Sequence, residues 1–313
     1  MNTFRLTKFL VPIILYLTVS SCVKPKGDTD ITMKPVHDSL HVEKSQIKHA
    51  ITERINDTIL LSTYIELDPV FDSLNFHLEE VRKTDTVPRI FLLDIRKSLG
   101  QENSNVRKYD FLRVILSNSL LVNEQILKDR HFVLKVQNQE NLSREDSLQL
   151  SKLKSHYRSK TKDELLEKVD IVPPSLILCQ SIIESGWGQS HFAYEGNSLF
   201  GEHAPADSKN SMKAKGANIG LRAFPTIADA IAGYTTNLNR HNAYASLRKE
   251  RKKLREENQE IDGLTLASTE EHYSELGHEY VDYLRKIISI YHLTDFDNCK
   301  LGHGNNLFVE IDH

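Results

Sequence analysis

The stretch from 172 to 201, VPPSLILCQSIIESGWGQSHFAYEGNSLFG, most narrows what this chain can fold into. Its first half is predicted to be a helix with almost no polar side. Pro173 and Pro174 suit a first turn, where a missing N–H does no harm. Leu176, Ile177, Leu178, Cys179, Ile182 and Ile183 leave only Ser and Gln as polar neighbours. A helix apolar nearly all round has to be covered on every side, so the rest of the chain must wrap it. Gly186 follows as a left-handed stop. At 313 residues the chain is long enough for one sizeable core and a small appendage.

Glu184 falls in the last turn of this helix, one turn after Gln180. The helix C-terminus carries partial negative charge and disfavours an ionised carboxyl there. Apolar neighbours and Trp187, the single tryptophan, disfavour it too. Both effects raise the pKa towards the range a general acid needs near neutral pH. A capping or ion-paired Glu would suit the same position. Gly186 and Gly188, on either side of Trp187, make a turn where a ligand can approach backbone closely, with the indole as a wall.

The run Glu184-Ser185-Gly186-Trp187-Gly188-Gln189-Ser190, followed by Phe192-Ala193, Gly196-Asn197 and Leu199-Phe200-Gly201, resembles the signature of bacterial glucosaminidases of glycoside hydrolase family 73. These are peptidoglycan hydrolases with a lysozyme-like fold. Within that family the chain is most similar to the Bax-like branch. Upstream, 169–176 (VDIVPPSL) supports this, and downstream Asn237-Leu238-Asn239-Arg240-His241, Ala243-Tyr244, Tyr273-Ser274-Glu275, Gly277 and Tyr280-Val281 fit as well. The likeness runs from about Val87 to about Leu293.

The resemblance implies a mainly α protein: a lysozyme-like α+β core with a small β-lobe, preceded by a helical leader. It implies cleavage of the β-1,4 bond after N-acetylglucosamine, with Glu184 protonating the leaving oxygen and water, not a metal or other cofactor, completing the reaction. Tyr273 matches an active-site tyrosine of the family and is the second candidate catalytic residue. Gln180, Trp187, Ser190, Asn197 and Phe200 are candidate substrate contacts. Ser190 and Asn197 equally suit turn-holding hydrogen bonds, and Tyr273 a place in the core. The family's second acid, where found, comes from the β-lobe. Here 202–222 offers only Glu202 and Asp207, and Ile219-Gly220-Leu221-Arg222 stands where an acid is expected. Help from the substrate's N-acetyl group with Tyr273, or a mobile Asp207, would fill that gap. A lytic transglycosylase and a non-catalytic glycan-binding lipoprotein are the competing readings. The first is disfavoured because Gly220-Leu221 continues as Arg222-Ala223 rather than a Gly-Leu-Met-Gln type motif.

The N-terminus reads as an export signal. Arg5 and Lys8 precede an apolar run, Phe9 to Val19, too short for a comfortable permanent span. Val19-Ser20-Ser21-Cys22 resembles a lipobox, so Cys22 is the expected lipid-bearing mature N-terminus and the bacterial cell envelope the expected location. The partners expected are peptidoglycan strands and, through the lipid, a membrane. A net charge of −3 lacks the basic footprint of a nucleic-acid binder. Cys179 and Cys299 make neither a disulfide framework nor a metal spacing.

The expected organisation is a signal peptide over 1–22, a polar tether and N-terminal segment over 23–86, the glucosaminidase domain with its leader over 87–296, and a tail over 297–313. Helical periodicity is read from Arg89 to Gln139. Ser143 with Asp146, Thr161 with Glu164 and Thr226 with Asp229 read as helix N-termini. The span 202–222 lacks a helix period and reads as the lobe, whose Lys209, Lys213 and Lys215 could meet stem-peptide carboxylates. The run from Ser246 to Glu260, rich in both charges, reads as a solvated helix.

Overall fold

The computed structural model describes residues 58–96, 99–100, 102–204, 211–213, 220–269 and 278–312. Strand β1 (Thr58–Leu61) opens it, followed by helices α1 (Leu67–Ser73) and α2 (Leu78–Thr84). Strands β2 (Thr86–Val87) and β3 (Ile90–Leu92) lead into the long helix α3 (Ser104–Val136). Helices α4 (Arg144–His156) and α5 (Lys162–Lys168) precede α6 (Pro174–Ser185). After the short α7 (His191–Gly196) come strands β4 (His203–Ala204), β5 (Ser211–Lys213) and β6 (Gly220–Arg222). Helices α8 (Ile227–Arg240), α9 (Ala245–Glu256), α10 (Gly263–Ala267) and α11 (His278–Ile290) follow, then strands β7 (Lys300–Leu301) and β8 (Leu307–Ile311).

The apolar helix is the axis of this arrangement. Every residue of α6 from Pro174 to Ile182 is buried. Helices α3, α10 and α11 and the turn Leu293–Phe296 pack around it. Each buried Leu or Ile contributes roughly 1.5–3 kcal/mol relative to exposure. The buried serines of α6 find partners. Ser181 Oγ donates to Leu178 O, and Ser175 Oγ donates to Asp297 Oδ2 at 2.7 Å. Asn123 on α3 bonds Val172 both ways, donating to its carbonyl at 2.8 Å and accepting its N–H, so the long helix fixes where α6 begins.

The three expected caps form: Ser143, Thr161 and Thr226 each accept the backbone N–H three residues on. Strands β4, β6 and β5 pair antiparallel in that order and make a small lobe directly after α7. The protein is thus mainly α with a lysozyme-like core and a β-lobe. Among the described residues no helix is long and apolar enough to cross a membrane, and no three His, Cys, Asp or Glu side chains gather as a metal site.

Three sequence expectations are corrected. The helix read from Arg89 begins only at Ser104; Ile90–Leu92 is strand β3. The tail contains β8, the central strand of a parallel sheet ordered β1-β8-β3, with Val309 opposite both Ile59 and Leu92. The first described strand meets the last one there, so 58–86 and the residues of β8 pack in one body with the helices. Three- to five-residue apolar runs carry too little period to choose helix or strand, and the partner strand decides. Lastly, α9 is not solvated all round: Arg248 and Arg251 are buried. Arg251 donates to the carbonyls of Asp170 and Ile171 and to Asn239 Oδ1, while Arg255 binds the Asp170 carboxylate at 2.9 Å. Burial pushes Asp170 up, but Arg251, Arg255 and Arg130 outweigh it and hold its carboxyl below the usual range.

Candidate active site

Helix α6 delivers Glu184 as its last residue but one. Gly186 ends the helix at φ 59°, donating its N–H to Ile182 O. Trp187 and Gly188 continue in the left-handed region at φ 62° and 73°. For tryptophan that backbone costs about 1–2 kcal/mol. The surroundings hold it there. Ser185 Oγ accepts the Gly188 N–H at 2.8 Å and donates to Ser181 O at 2.5 Å. The indole meets Phe111 and Tyr291 edge-on, with centroids 5.9 and 4.8 Å away, and the Lys108 ammonium lies 5.2 Å from its ring. A Cβ at Gly188 would come within 3.1 Å of Phe111, a tight approach that adds to the preference for glycine set by its φ. The turn therefore reverses the chain immediately after Glu184.

The chain then returns to Glu184. Ser190 caps α7 by accepting the Ala193 N–H. Asn197, left-handed at φ 50°, ends α7 and ties three segments together. It accepts the Ile95 N–H at 2.9 Å and donates to Asp94 Oδ1 at 2.8 Å and Phe224 O at 3.3 Å. Phe200 stacks on Tyr234 of α8 with centroids 4.2 Å apart and planes 8° from parallel. Gly201, at φ 63°, passes near the acid: a Cβ there would sit 3.4 Å from Glu184 Oε2. Gln180 accepts the Tyr280 hydroxyl at 2.9 Å, fixing α11 to the same helix one turn below the acid.

Glu184 is half-buried, and burial alone raises its carboxyl to about 7. No charged or hydrogen-bonding group among the described residues offsets that burial. A substantial share of the group, about half at pH 7, is therefore protonated and able to donate a proton, as a general acid must. The structure brings Gln180, Glu184, Trp187 and Phe200 to the end of α6 and its turn, and puts Ser190 and Asn197 on backbone groups that shape the turn. Tyr273, Asp207, Lys209, Lys215 and Cys22 lie outside the described residues.

Two neighbours escape a reading by motif. One is Gly201, whose proximity to Glu184 needs the turn to be closed before it exists. The other is Glu202, cross-strand from Arg222 with oxygen and nitrogen 3.4 Å apart. Burial pushes Glu202 up, and Arg222 acts in the opposite sense. The signal available in sequence is one acid at the start of β4 and one base at the end of β6, visible only once the strands are paired.

Residues 159–293 match the family model described as mannosyl-glycoprotein endo-beta-N-acetylglucosaminidase. The chain is also 31% identical over 201 residues to the protein named Protein bax of Escherichia coli (strain K12), covering 62% of this chain and 72% of that relative. The chain is a Bax-like glucosaminidase. The match covers α5 through α11, hence α6, the turn and the lobe. It leaves β1–β3, the long helix, β7 and β8 outside the family region, although they pack on it. The glucosaminidase domain makes this a glycoside-hydrolase type of enzyme, related to those acting on peptidoglycan. No solved structure matches the chain.

Proposed function

We propose that the protein is a peptidoglycan hydrolase, an endo-β-N-acetylglucosaminidase that cleaves the β-1,4 bond after N-acetylglucosamine. Glu184 donates the proton to the leaving glycosidic oxygen. The observation that supports this best is the Glu184 carboxyl, raised to about 7 by burial at a backbone turn that leaves no side chain at Gly201 to cover it. Tyr273 serves the same site, its hydroxyl on the substrate or the developing cation. Digestion of purified peptidoglycan, with mass spectrometry of the released termini, tests the reading. Reducing N-acetylglucosamine ends are expected. Anhydro ends would mean a lytic transglycosylase, and binding without new ends a non-catalytic scaffold.

The same proposal places the enzyme in the bacterial cell envelope. Residues 1–22 act as a lipoprotein signal, Cys22 carries the lipid, and the segment after it tethers the catalytic body to the membrane. Radiolabelled palmitate should enter the wild-type protein and not Cys22→Ser; label in both would remove the anchor from the reading.

A further inference from the structure

Glycosidases of the usual kind work with two carboxyl groups, one an acid and one a nucleophile or a base for water. An acid expected shortly before the Phe224-Pro225 junction would stand on β6, and β6 carries Gly220 there. A side chain at that position would have to displace its neighbours. A Cβ on Gly220 would collide with the Ser211 hydroxyl and lie 3.2 Å from Met212 O.

Strand β4 runs antiparallel beside it, with His203 opposite Leu221 and Ala204 opposite Gly220. One step further the Arg222 N–H donates to Glu202 O at 2.7 Å, so Glu202 and Arg222 face each other across the ladder. Side chains alternate along strands, so Glu202, Ala204, Gly220 and Arg222 share one face of the lobe. The face that has no acid at 220 has one at 202, one strand over. Residue 202 also follows directly on Gly201, where a Cβ would sit 3.4 Å from Glu184 Oε2.

Glu202 is not built like a structural ion pair. Its ion-pair partner among the described residues, Arg222, is 3.4 Å away on a side chain that is 49% exposed. Its other oxygen, Oε1, is buried with no hydrogen-bond partner among the described residues. It faces Gly233, where a Cβ would come within 3.0 Å of it. Leaving such an oxygen unpaired costs about 1–3 kcal/mol or more, so stability gives no reason to keep it.

We propose that Glu202 is the second carboxyl group of the reaction, acting as the base for water and oriented by Arg222. The assignment rests on the glycosidase reading above and takes the place of N-acetyl assistance or Asp207. Glu202 removes a proton from water, and the water oxygen bonds to the anomeric carbon. The bond from that carbon to the leaving oxygen breaks with its electron pair, and that oxygen takes the proton of Glu184. Glu202 ends protonated and Glu184 ionised, and exchange with solvent restores both. Burial raises the Glu202 pKa and makes it a stronger base than an exposed carboxylate, while Arg222 and Arg240 pull the other way.

Glu202→Ala and Glu202→Gln should each lower hydrolysis of a soluble glycan fragment by about 10²-fold or more. Azide should restore turnover to Glu202→Ala and not to Glu202→Gln, releasing a glycosyl azide, because the anion fits only where the carboxylate has been removed. A side chain with a purely structural role gives no such product. The wild-type enzyme should release the α anomer first, read by proton NMR within the first minutes. A folded Glu202→Ala that keeps the wild-type rate, or is slow without azide product, overturns the assignment. So does release of the β anomer, which decides the matter even if the variants fail to fold. If the wild-type protein makes no reducing ends at all, the glycosidase reading falls and this assignment with it; loss of the assignment alone leaves that reading standing.

Discussion

Gly201 lies against Glu184, close enough that a Cβ at position 201 would sit 3.4 Å from Oε2. This proximity joins the end of the apolar helix to the entry of the lobe, and glycine leaves the space beside the carboxyl free of a side chain. Gly201→Ala adds a methyl at that spot on a backbone held at φ 63°. The left-handed conformation alone should cost about 1–2 kcal/mol. A melting temperature several degrees lower is expected, together with an alkaline limb of activity moved upward, because the methyl removes water from Glu184. Equal melting temperatures would show that the turn relaxes freely.

Glu184 sets the pH behaviour. Its folded value, about 7, lies above the unfolded value of about 4.3. The folded state therefore holds the proton more tightly, and the stability this contributes is complete below the unfolded value and lost as pH rises through about 7. Activity, which needs the protonated form, should fall over the same upper range. Glu184→Gln cannot donate a proton and should lose about 10²–10⁴-fold in rate or more. Being neutral at every pH, it should also melt higher than wild type at pH 8–9 and like wild type near pH 4. Calorimetry at the two pH values checks the sign independently of activity.

Asp297 serves two helix starts at once. Its carboxylate accepts the Ser175 N–H and hydroxyl at the head of α6 and the Gly263 N–H at the head of α10. Burial pushes it to about 7, although these donors pull the other way. Asp297→Ala leaves the Ser175 N–H without its acceptor, while the Gly263 N–H keeps Ser175 Oγ at 3.1 Å, and should cost about 1–3 kcal/mol in urea unfolding. Asp297→Asn keeps one acceptor oxygen and should lose clearly less. Equal losses would mean that packing, not capping, dominates here.

Asn197 should prove structural rather than a sugar contact. Asn197→Ala removes bonds to Ile95, Asp94 and Phe224 and puts alanine at φ 50°. The expected loss is about 2–4 kcal/mol, summing unpaired buried groups and backbone strain. Asn197→Gly tolerates the backbone and should recover about 1 kcal/mol of it. If both variants keep wild-type stability and raise KM alone, the side chain contacts substrate instead.

Elements whose causes are local can be read from the chain directly. The apolar surface of 174–183, Gly186 as its stop, and the Ser143, Thr161 and Thr226 caps each depend on residues a few positions away, so α6, its acid and most helix starts are legible without coordinates. The acid's environment was legible too, because a helix apolar on all sides must be covered. The tertiary structure alone decided the rest. Ile90–Leu92 became a strand only because Leu307–Ile311 runs beside it, more than two hundred residues on, and that pairing turned an apparent tail into the centre of a sheet. Arg251, within a charged run, is buried because backbone carbonyls 80 residues earlier accept its protons. Glu202 looked like one of two acids near a motif until the β4–β6 register set it opposite Arg222 and beside an empty Gly220. In each case the deciding partner is distant in sequence, and short runs or single charged residues carry no periodicity that could announce it.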